Sequence, residues 1–282
     1  ALAEMLQMTP EELTKKIATD KKKRYVYLQR QASPATAEYV RKLKVPGIYF
    51  KKEAKRYYPA GEVAAHVVGF TNVDDHGVEG VERQFDELLQ GTPGRRVIRK
   101  DAKGREIEVL EQTEATASRN LQLSIDQRIQ AVAYRELKKA VLTFGATSGS
   151  VVVVDVHTGE VLAMVNSPSY NPNNRKNTEI HRFRNRAITD SIEPGSIVKP
   201  LPVLAALENG TADMNTVIQT GYGPIMVGGR RVKDTHGYGD LDLTGIMRKS
   251  SNIGVTKLAL NMPHEDLLKL YYDMGLGAET GL

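Results

Sequence analysis

Ser150-Val151-Val152-Val153-Val154-Asp155-Val156-His157-Thr158-Gly159-Glu160-Val161-Leu162-Ala163-Met164-Val165 is the stretch on which the architecture turns. Its first half is a β-branched run, the residue class that fits a pleated, half-buried surface. His157-Thr158-Gly159 interrupts it and a second apolar run returns, so the segment reads as a β-hairpin. Four consecutive valines leave no polar face for water, which predicts a strand covered on both sides and helices flanking the sheet. Upstream, Asp126 stands where it can cap a long helix. Its apolar positions Ile129, Val132, Ala133, Leu137, Val141 and Phe144 recur at the spacing of one buried face. A short strand, Leu121 to Ile125, is expected just before it, and residues 166–183, rich in Asn with Pro168 and Pro172, read as a long loop.

Nearer the N-terminus the pattern changes. Thr9-Pro10 and Ser33-Pro34 each set a capping hydroxyl before a proline at the first helical position, so helices start there. Strands are expected at 25–29 and from Gly47-Ile48-Tyr49-Phe50. The polar segments on either side of Asp101-Ala102-Lys103-Gly104-Arg105 read as two strands of an extended arm. Glu111 to Arg119 has few large apolar residues, and the domain boundary is placed there. The expected protein is multidomain and α+β, with an extended mixed domain over 1–118 and, over 119–282, a β-sheet flanked by helices.

The 282 residues are 40% hydrophobic, enough for cores in both parts, and carry a net charge of +5. A basic balance suits nucleic acid, an anionic membrane or an acidic polymer. Nucleic acid is disfavoured, because Trp is absent, Phe numbers five, and no basic stripe is interleaved with aromatics. The run Lys21-Lys22-Lys23-Arg24 reads as a solvated turn. With no cysteine, disulfides, thiolate catalysis and thiolate metal sites fall away together. The six histidines are scattered, so no metal or organic cofactor is expected; His66 and His236 read as structural, with His236 near the border of a cleft. No apolar stretch approaches the ~20 residues needed to span a bilayer, and no signal peptide is visible at Ala1. Any membrane anchor is therefore expected outside these residues.

The chemistry gathers in Glu193-Pro194-Gly195-Ser196-Ile197-Val198-Lys199-Pro200. Ser-x-x-Lys on a helix puts hydroxyl and amine on one face. A lysine in a partly desolvated pocket titrates nearer neutrality and serves as a base, and the N–H groups at the helix start stabilise a developing oxyanion. The four-residue motif alone is common, and a capping serine beside a solvated lysine is the plainer reading. Further on comes Lys249-Ser250-Ser251-Asn252, followed by an apolar helix pattern at Val255, Leu258 and Ala259. A Ser-x-Asn element after a Ser-x-x-Lys helix is the second motif of the penicillin-recognising acyl-transferases, here with Ser251 where others carry Asp.

With these motifs the chain resembles the class B penicillin-binding proteins, most of all the septal type. Further matching stretches are Arg56-Tyr57-Tyr58-Pro59-Ala60-Gly61-Glu62 with His66, Gly77-Val78-Glu79-Gly80-Val81-Glu82, Arg99-Lys100-Asp101, and Ser167-Pro168-Ser169-Tyr170-Asn171-Pro172. The resemblance implies a non-catalytic pedestal over 1–118 and the N-terminal part of a transpeptidase domain over 119–282. It implies that Ser196 attacks the carbonyl between the terminal D-Ala residues of a peptidoglycan stem peptide and that Lys199 takes its proton. Ser250 would relay a proton to the leaving amine, and Asn252 would bind the substrate amide. β-Lactams would acylate Ser196. Division-complex membrane proteins are the implied partners, and the periplasmic face of the bacterial inner membrane the implied location.

Departures from the family pattern carry expectations of their own. The third motif, Lys-Thr/Ser-Gly, is missing: Thr147-Ser148-Gly149 lacks the Lys and Glu279-Thr280-Gly281 has Glu instead. The C-terminal part that bears it is taken to be absent, so the chain alone is expected to be inactive. Ile197 stands where relatives often carry Thr. Pro202 inside a helix costs ~3 kcal/mol, so a kink or a 3₁₀ start is expected. Arg56, Glu62, Glu79, Glu82 and Arg99 are expected in a buried ion-pair network. Three alternatives stay open: an elongation-specific transpeptidase, a β-lactamase or β-lactam sensor (disfavoured because no Glu-x-x-Leu-Asn loop is found), and a non-catalytic division scaffold.

Overall fold

The computed structural model of the chain describes residues 2–18, 25–102 and 105–281. The chain divides into two compact units, Ala1–Thr189 and Asp190–Leu282. The first unit thus holds 119–189 together with the segment expected to form a separate pedestal.

In that unit α1 (Leu2–Met5) and α2 (Pro10–Ala18) come first. A reciprocal box closes the start of α2: the Glu12 N–H donates to Thr9 Oγ1 (3.1 Å) and the Thr9 N–H to the Glu12 carboxylate (2.8 Å). α3 (Pro34–Lys42) opens on Ser33, whose hydroxyl accepts from the Thr36 N–H at 3.0 Å. The strands expected at 25–29 and 47–50 do not form. Both segments are irregular, with Tyr25 and Tyr49 turned to solvent and no partner strand beside them among the described residues. The basic run 21–24 lies outside the described residues.

Next come α4 (Ala65–Val68), the antiparallel pair β1 (Phe70–Thr71) and β2 (Gly77–Glu79), and the short helices α5 (Gly80–Gln84) and α6 (Asp86–Gln90). Gly69, at φ +78°, is required: a Cβ there would sit 1.7 Å from the Glu79 carbonyl oxygen. β3 (Arg95–Lys100) and β4 (Glu106–Thr113) form the expected two-sided polar hairpin, cross-linked by Arg96–Glu106 (3.5 Å) and Arg99–Glu108 (2.9 Å). The expected single ion-pair network is instead dispersed. Arg56 meets Glu82 at 3.2 Å, Arg99 stays on the exposed hairpin, and Glu62 is held by the Tyr134 hydroxyl and by Lys138 (3.1 Å).

Asp126 caps α7 (Gln127–Thr143), accepting from the Arg128 N–H at 2.8 Å. Its inward face differs from the apolar pattern. The most buried side chains are Gln130 (1% exposed) and Tyr134, while Val132 and Phe144 point outward. Gln130 is buried because its amide is fully used: Nε2 donates to the Val63 and Met164 carbonyls (both 2.9 Å) and Oε1 accepts from the Met164 N–H (2.8 Å). Residues 121–125 form no strand. Ser124 Oγ donates to the Val161 carbonyl (2.8 Å), and just beyond the segment the Asp126 N–H donates to the Leu162 carbonyl (2.9 Å).

β5 (Gly149–Val154) and β6 (Val161–Ser167) make the expected antiparallel hairpin, with Val151 opposite Val165. The strand covered on both faces is β6, not the valine run. Ala163 to Ser167 are buried, whereas Val152 and Val154 on β5 remain 44% and 47% exposed. α4, α7 and α8 (Arg186–Thr189) all pack on β6, and among the described residues no strand borders the far edge of β5.

The second unit carries a 3₁₀ turn (Gly195–Val198), α9 (Pro200–Glu208), β7 (Val217–Gly221), β8 (Ile225–Val227), β9 (Arg230–Val232) and β10 (Gly239–Asp242). α10 (Leu243–Lys249), α11 (Asn252–Leu260) and α12 (His264–Asp273) follow. β7 pairs with β10 and β8 with β9, both antiparallel. Helices α9, α11 and α12 enclose an apolar core that includes Val203, Ala206, Ile246, Leu258 and Leu270.

Candidate active site

The two prolines decide how Ser196 is presented. Pro200 takes the first position of α9 and Pro202 the third, where backbone N–H groups have no intrahelical acceptor to lose. The α-helix therefore begins only after Lys199, and Gly195–Val198 winds as a 3₁₀ turn, as expected from Pro202. The Lys199 N–H donates to the Ser196 carbonyl at 3.3 Å. In 3₁₀ geometry residues i and i+3 eclipse, so Ser196 and Lys199 emerge from the same side. The Ser196 hydroxyl is exposed and makes no hydrogen bond among the described residues.

Ser250 ends α10 in the left-handed region, at φ 53° and ψ 44°, a conformation usually left to glycine. There the Lys199 ammonium donates to the Ser250 carbonyl (2.6 Å) and to its Oγ (3.0 Å). The amine is thus joined to the second-motif hydroxyl, while the contact to Ser196 expected from helical spacing is not made. Partial burial pushes the Lys199 pKa below the ordinary lysine value, and the negative charge of Asp234 pulls the other way.

Asn252 is the first residue of α11 and lines the same cleft as Ser196 and Lys199, a space of about 580 Å³ whose other walls include Val232, Val255 and Tyr271. Its Nδ2 donates to the Lys233 carbonyl at 2.8 Å. That bond fixes the amide orientation and leaves Oδ1 for a ligand N–H. All four residues singled out from sequence therefore converge in the second unit.

Sequence reasoning missed Asp234. One carboxylate oxygen accepts from the backbone N–H groups of Asn252 (2.5 Å) and Ile253 (3.0 Å), and the other from Ser251 Oγ (2.6 Å). Ser251 is 0% exposed, and its oxygen also accepts from the Gly254 N–H at 2.8 Å. The available signal was indirect: a capping hydroxyl that accepts from its own helix still has a proton to donate, and when buried it needs an acceptor for it. His236 is exposed beside Tyr238 and is not among the residues lining the cleft. His66 lies buried in the first unit, its Nε2 2.8 Å from the Arg182 carbonyl, with burial lowering its pKa. No His, Asp or Glu cluster able to hold a metal occurs among the described residues.

The chain is similar over its whole length to known proteins. Residues 149–282 match the family described as penicillin binding protein transpeptidase domain, and residues 1–123 match the penicillin-binding protein dimerisation domain. The chain is 52% identical over 282 residues to peptidoglycan D,D-transpeptidase FtsI of Escherichia coli, covering all of this chain and 48% of that protein. Among solved structures, a peptidoglycan synthetase from Bifidobacterium adolescentis superposes with a TM-score of 0.73 at 27% identity, over 100% of this chain and 51% of that one. Penicillin-binding protein 3 from Mycobacterium tuberculosis gives 0.69 at 31% identity, over 79% of this chain and 47% of that one. The chain spans about half the length of the curated relatives it matches.

Proposed function

The chain belongs to the class B penicillin-binding proteins, and on that premise we propose that it acts within a septal peptidoglycan D,D-transpeptidase that β-lactams acylate. The observation that carries this is the contact of the Lys199 ammonium with Ser250 Oγ, in the cleft that Ser196 and Asn252 also line.

In this reading Ser196 Oγ attacks the carbonyl carbon of the penultimate D-Ala and forms an ester, and the terminal D-Ala leaves as a free amine. Lys199, in its neutral form, accepts the Ser196 proton. Its eclipsed placement one turn on lets the amine swing from Ser250 to Ser196 without backbone movement. Ser250, already hydrogen-bonded to the amine, passes a proton on to the departing nitrogen. Asn252 Oδ1 accepts from the substrate amide, and the Ser196 N–H contributes to the oxyanion site. An amine of a second stem peptide then attacks the ester and crosslinks the strands. No metal or organic cofactor takes part.

Residues 1–118 serve as the pedestal and 119–282 as the front of the catalytic domain, a boundary argued from composition. Division-complex membrane proteins are the partners in this reading, and the periplasmic face of the inner membrane is the site of action. No helix among the described residues is long and apolar enough to cross a membrane.

The test supplies the full-length protein with a D-Ala–D-Ala-terminated stem peptide and an amine acceptor. The expected result is one D-Ala released per crosslink, lost in Ser196→Ala. Release of D-Ala by Ser196→Ala at the unaltered rate would exclude the assignment. A protein that only scaffolds would release none.

A further inference from the structure

We propose that Asp234 is a positioning residue of the acylation site, a single carboxylate that locks the Ser250–Asn252 element in place and supplies the counter-charge to Lys199. The inference rests on the reading of Lys199 as base given above.

The positioning half stands on geometry. The start of α11 presents three N–H groups with no intrahelical acceptor, and all three are taken: Asn252 and Ile253 by Asp234, Gly254 by Ser251 Oγ. The Ser251 hydroxyl donates back to Asp234 and closes the set. Where related enzymes place one Asp at the middle motif position, this chain divides the task between a buried hydroxyl and a carboxylate on the loop after β9. The adjacent Lys233 carbonyl holds the Asn252 amide, so one short loop fixes both the backbone and the side chain of Asn252. Ser250, joined to Ser251 by the peptide bond, closes the end of α10, its N–H on the Met247 carbonyl and the Ser251 N–H on the Ile246 carbonyl.

The counter-charge half follows from the surroundings of Lys199. The elements around the cleft carry Lys233 and Asp234 on the loop, Lys249 at the end of α10, Lys257 on α11 and, lining the cleft itself, Tyr271 on α12. Lys257 turns to the Gln219 carbonyl (2.7 Å), Lys249 lies over the Tyr238 ring (5.7 Å), and burial keeps the Tyr271 phenol neutral. Asp234 holds Ser251 and Asn252 while Lys199 holds Ser250, the residue just before them, so the Asp234 charge favours the ammonium against the desolvation that disfavours it. Lys199 is a base only when neutral, so acylation falls off below its pKa. Removing the Asp234 charge makes the ammonium costlier and moves that acid limb to lower pH.

The experiment follows acylation of the full-length protein by a fluorescent penicillin as a function of pH, up to the ordinary lysine pKa of about 10.4. Asp234→Asn is expected to lower the plateau rate about tenfold through lost hydrogen bonds and to move the acid limb to lower pH. Ser251→Ala, which keeps the charge, is expected to lower the plateau by a similar factor and leave the limb in place. A merely structural role would lower both plateaus and move neither limb, and that result overturns the counter-charge. A Ser251→Ala plateau equal to wild type overturns the positioning claim, even if Asp234→Asn does not fold. Wild-type protein that takes no label on Ser196 instead sinks the underlying reading of the site.

Discussion

Replacing Ser250 by alanine and, separately, by glycine divides backbone cost from chemistry at one residue. At φ 53° and ψ 44°, an L side chain costs about 1–2 kcal/mol over a right-handed residue, and Ser250→Ala keeps that cost. Ser250→Gly removes it but gives back about 0.5–1 kcal/mol through the greater freedom of glycine in the unfolded chain. The glycine variant is therefore expected to be more stable than the alanine variant by about 0.5–1 kcal/mol. Both variants lose the 3.0 Å bond to Lys199 and keep the 2.6 Å bond to the Ser250 carbonyl, so the amine stays near its place. A hydrogen bond to a charged group contributes about 1.5–3 kcal/mol, so both should acylate roughly 10–150-fold more slowly. Urea denaturation reads the stability difference, and a fluorescent penicillin reads the rate. If the glycine variant is no more stable than the alanine variant, the left-handed strain is not there. If the alanine variant is acylated at the wild-type rate, the Ser250 hydroxyl has no part in the chemistry.

Two further outcomes concern the first unit. Gln130→Leu leaves the Val63 and Met164 carbonyls and the Met164 N–H without their partner; at about 1–3 kcal/mol for each buried orphan, chemical denaturation should show a loss of at least about 3 kcal/mol, and a loss under 1 kcal/mol would mean water replaces the amide. His66 has its pKa lowered from 6.5 by burial. The unfolded chain therefore binds the proton first, and the stability His66 contributes is present above pH 6.5 and lost as pH falls below it. Melting temperature should drop over that window in the wild type and stay flatter in His66→Asn, and identical slopes would remove His66 as the cause.

Much of this was legible because local chemistry settled it. Thr9, Ser33 and Asp126 cap helices in the structure as their sequence contexts implied, and the Val151 and Val165 runs pair across the turn at 157–159. Pro202 foretold the 3₁₀ turn at Ser196. What escaped was decided by tertiary partners. Tyr25 and Tyr49 sit in segments with strand-like composition, but among the described residues no strand lies beside them to pair with. Gln130 reads as polar surface in a helical pattern, and only Val63 and Met164, distant in sequence, make its burial favourable. The same holds at the site. Ser196, Lys199, Ser250 and Asn252 announced themselves by spacing, whereas Asp234 acts through a fold-dependent contact with Ser251. That contact gives the Ser at the middle motif position its acceptor.

The most direct measurement is proteolytic mapping of the penicillin adduct on the full-length protein by tandem mass spectrometry. The account predicts one adduct, as an ester on Ser196, abolished in Ser196→Ala and formed about 10²–10⁴-fold more slowly in Lys199→Ala. An adduct on another residue, or one forming on Ser196 at the same rate without Lys199, would contradict it.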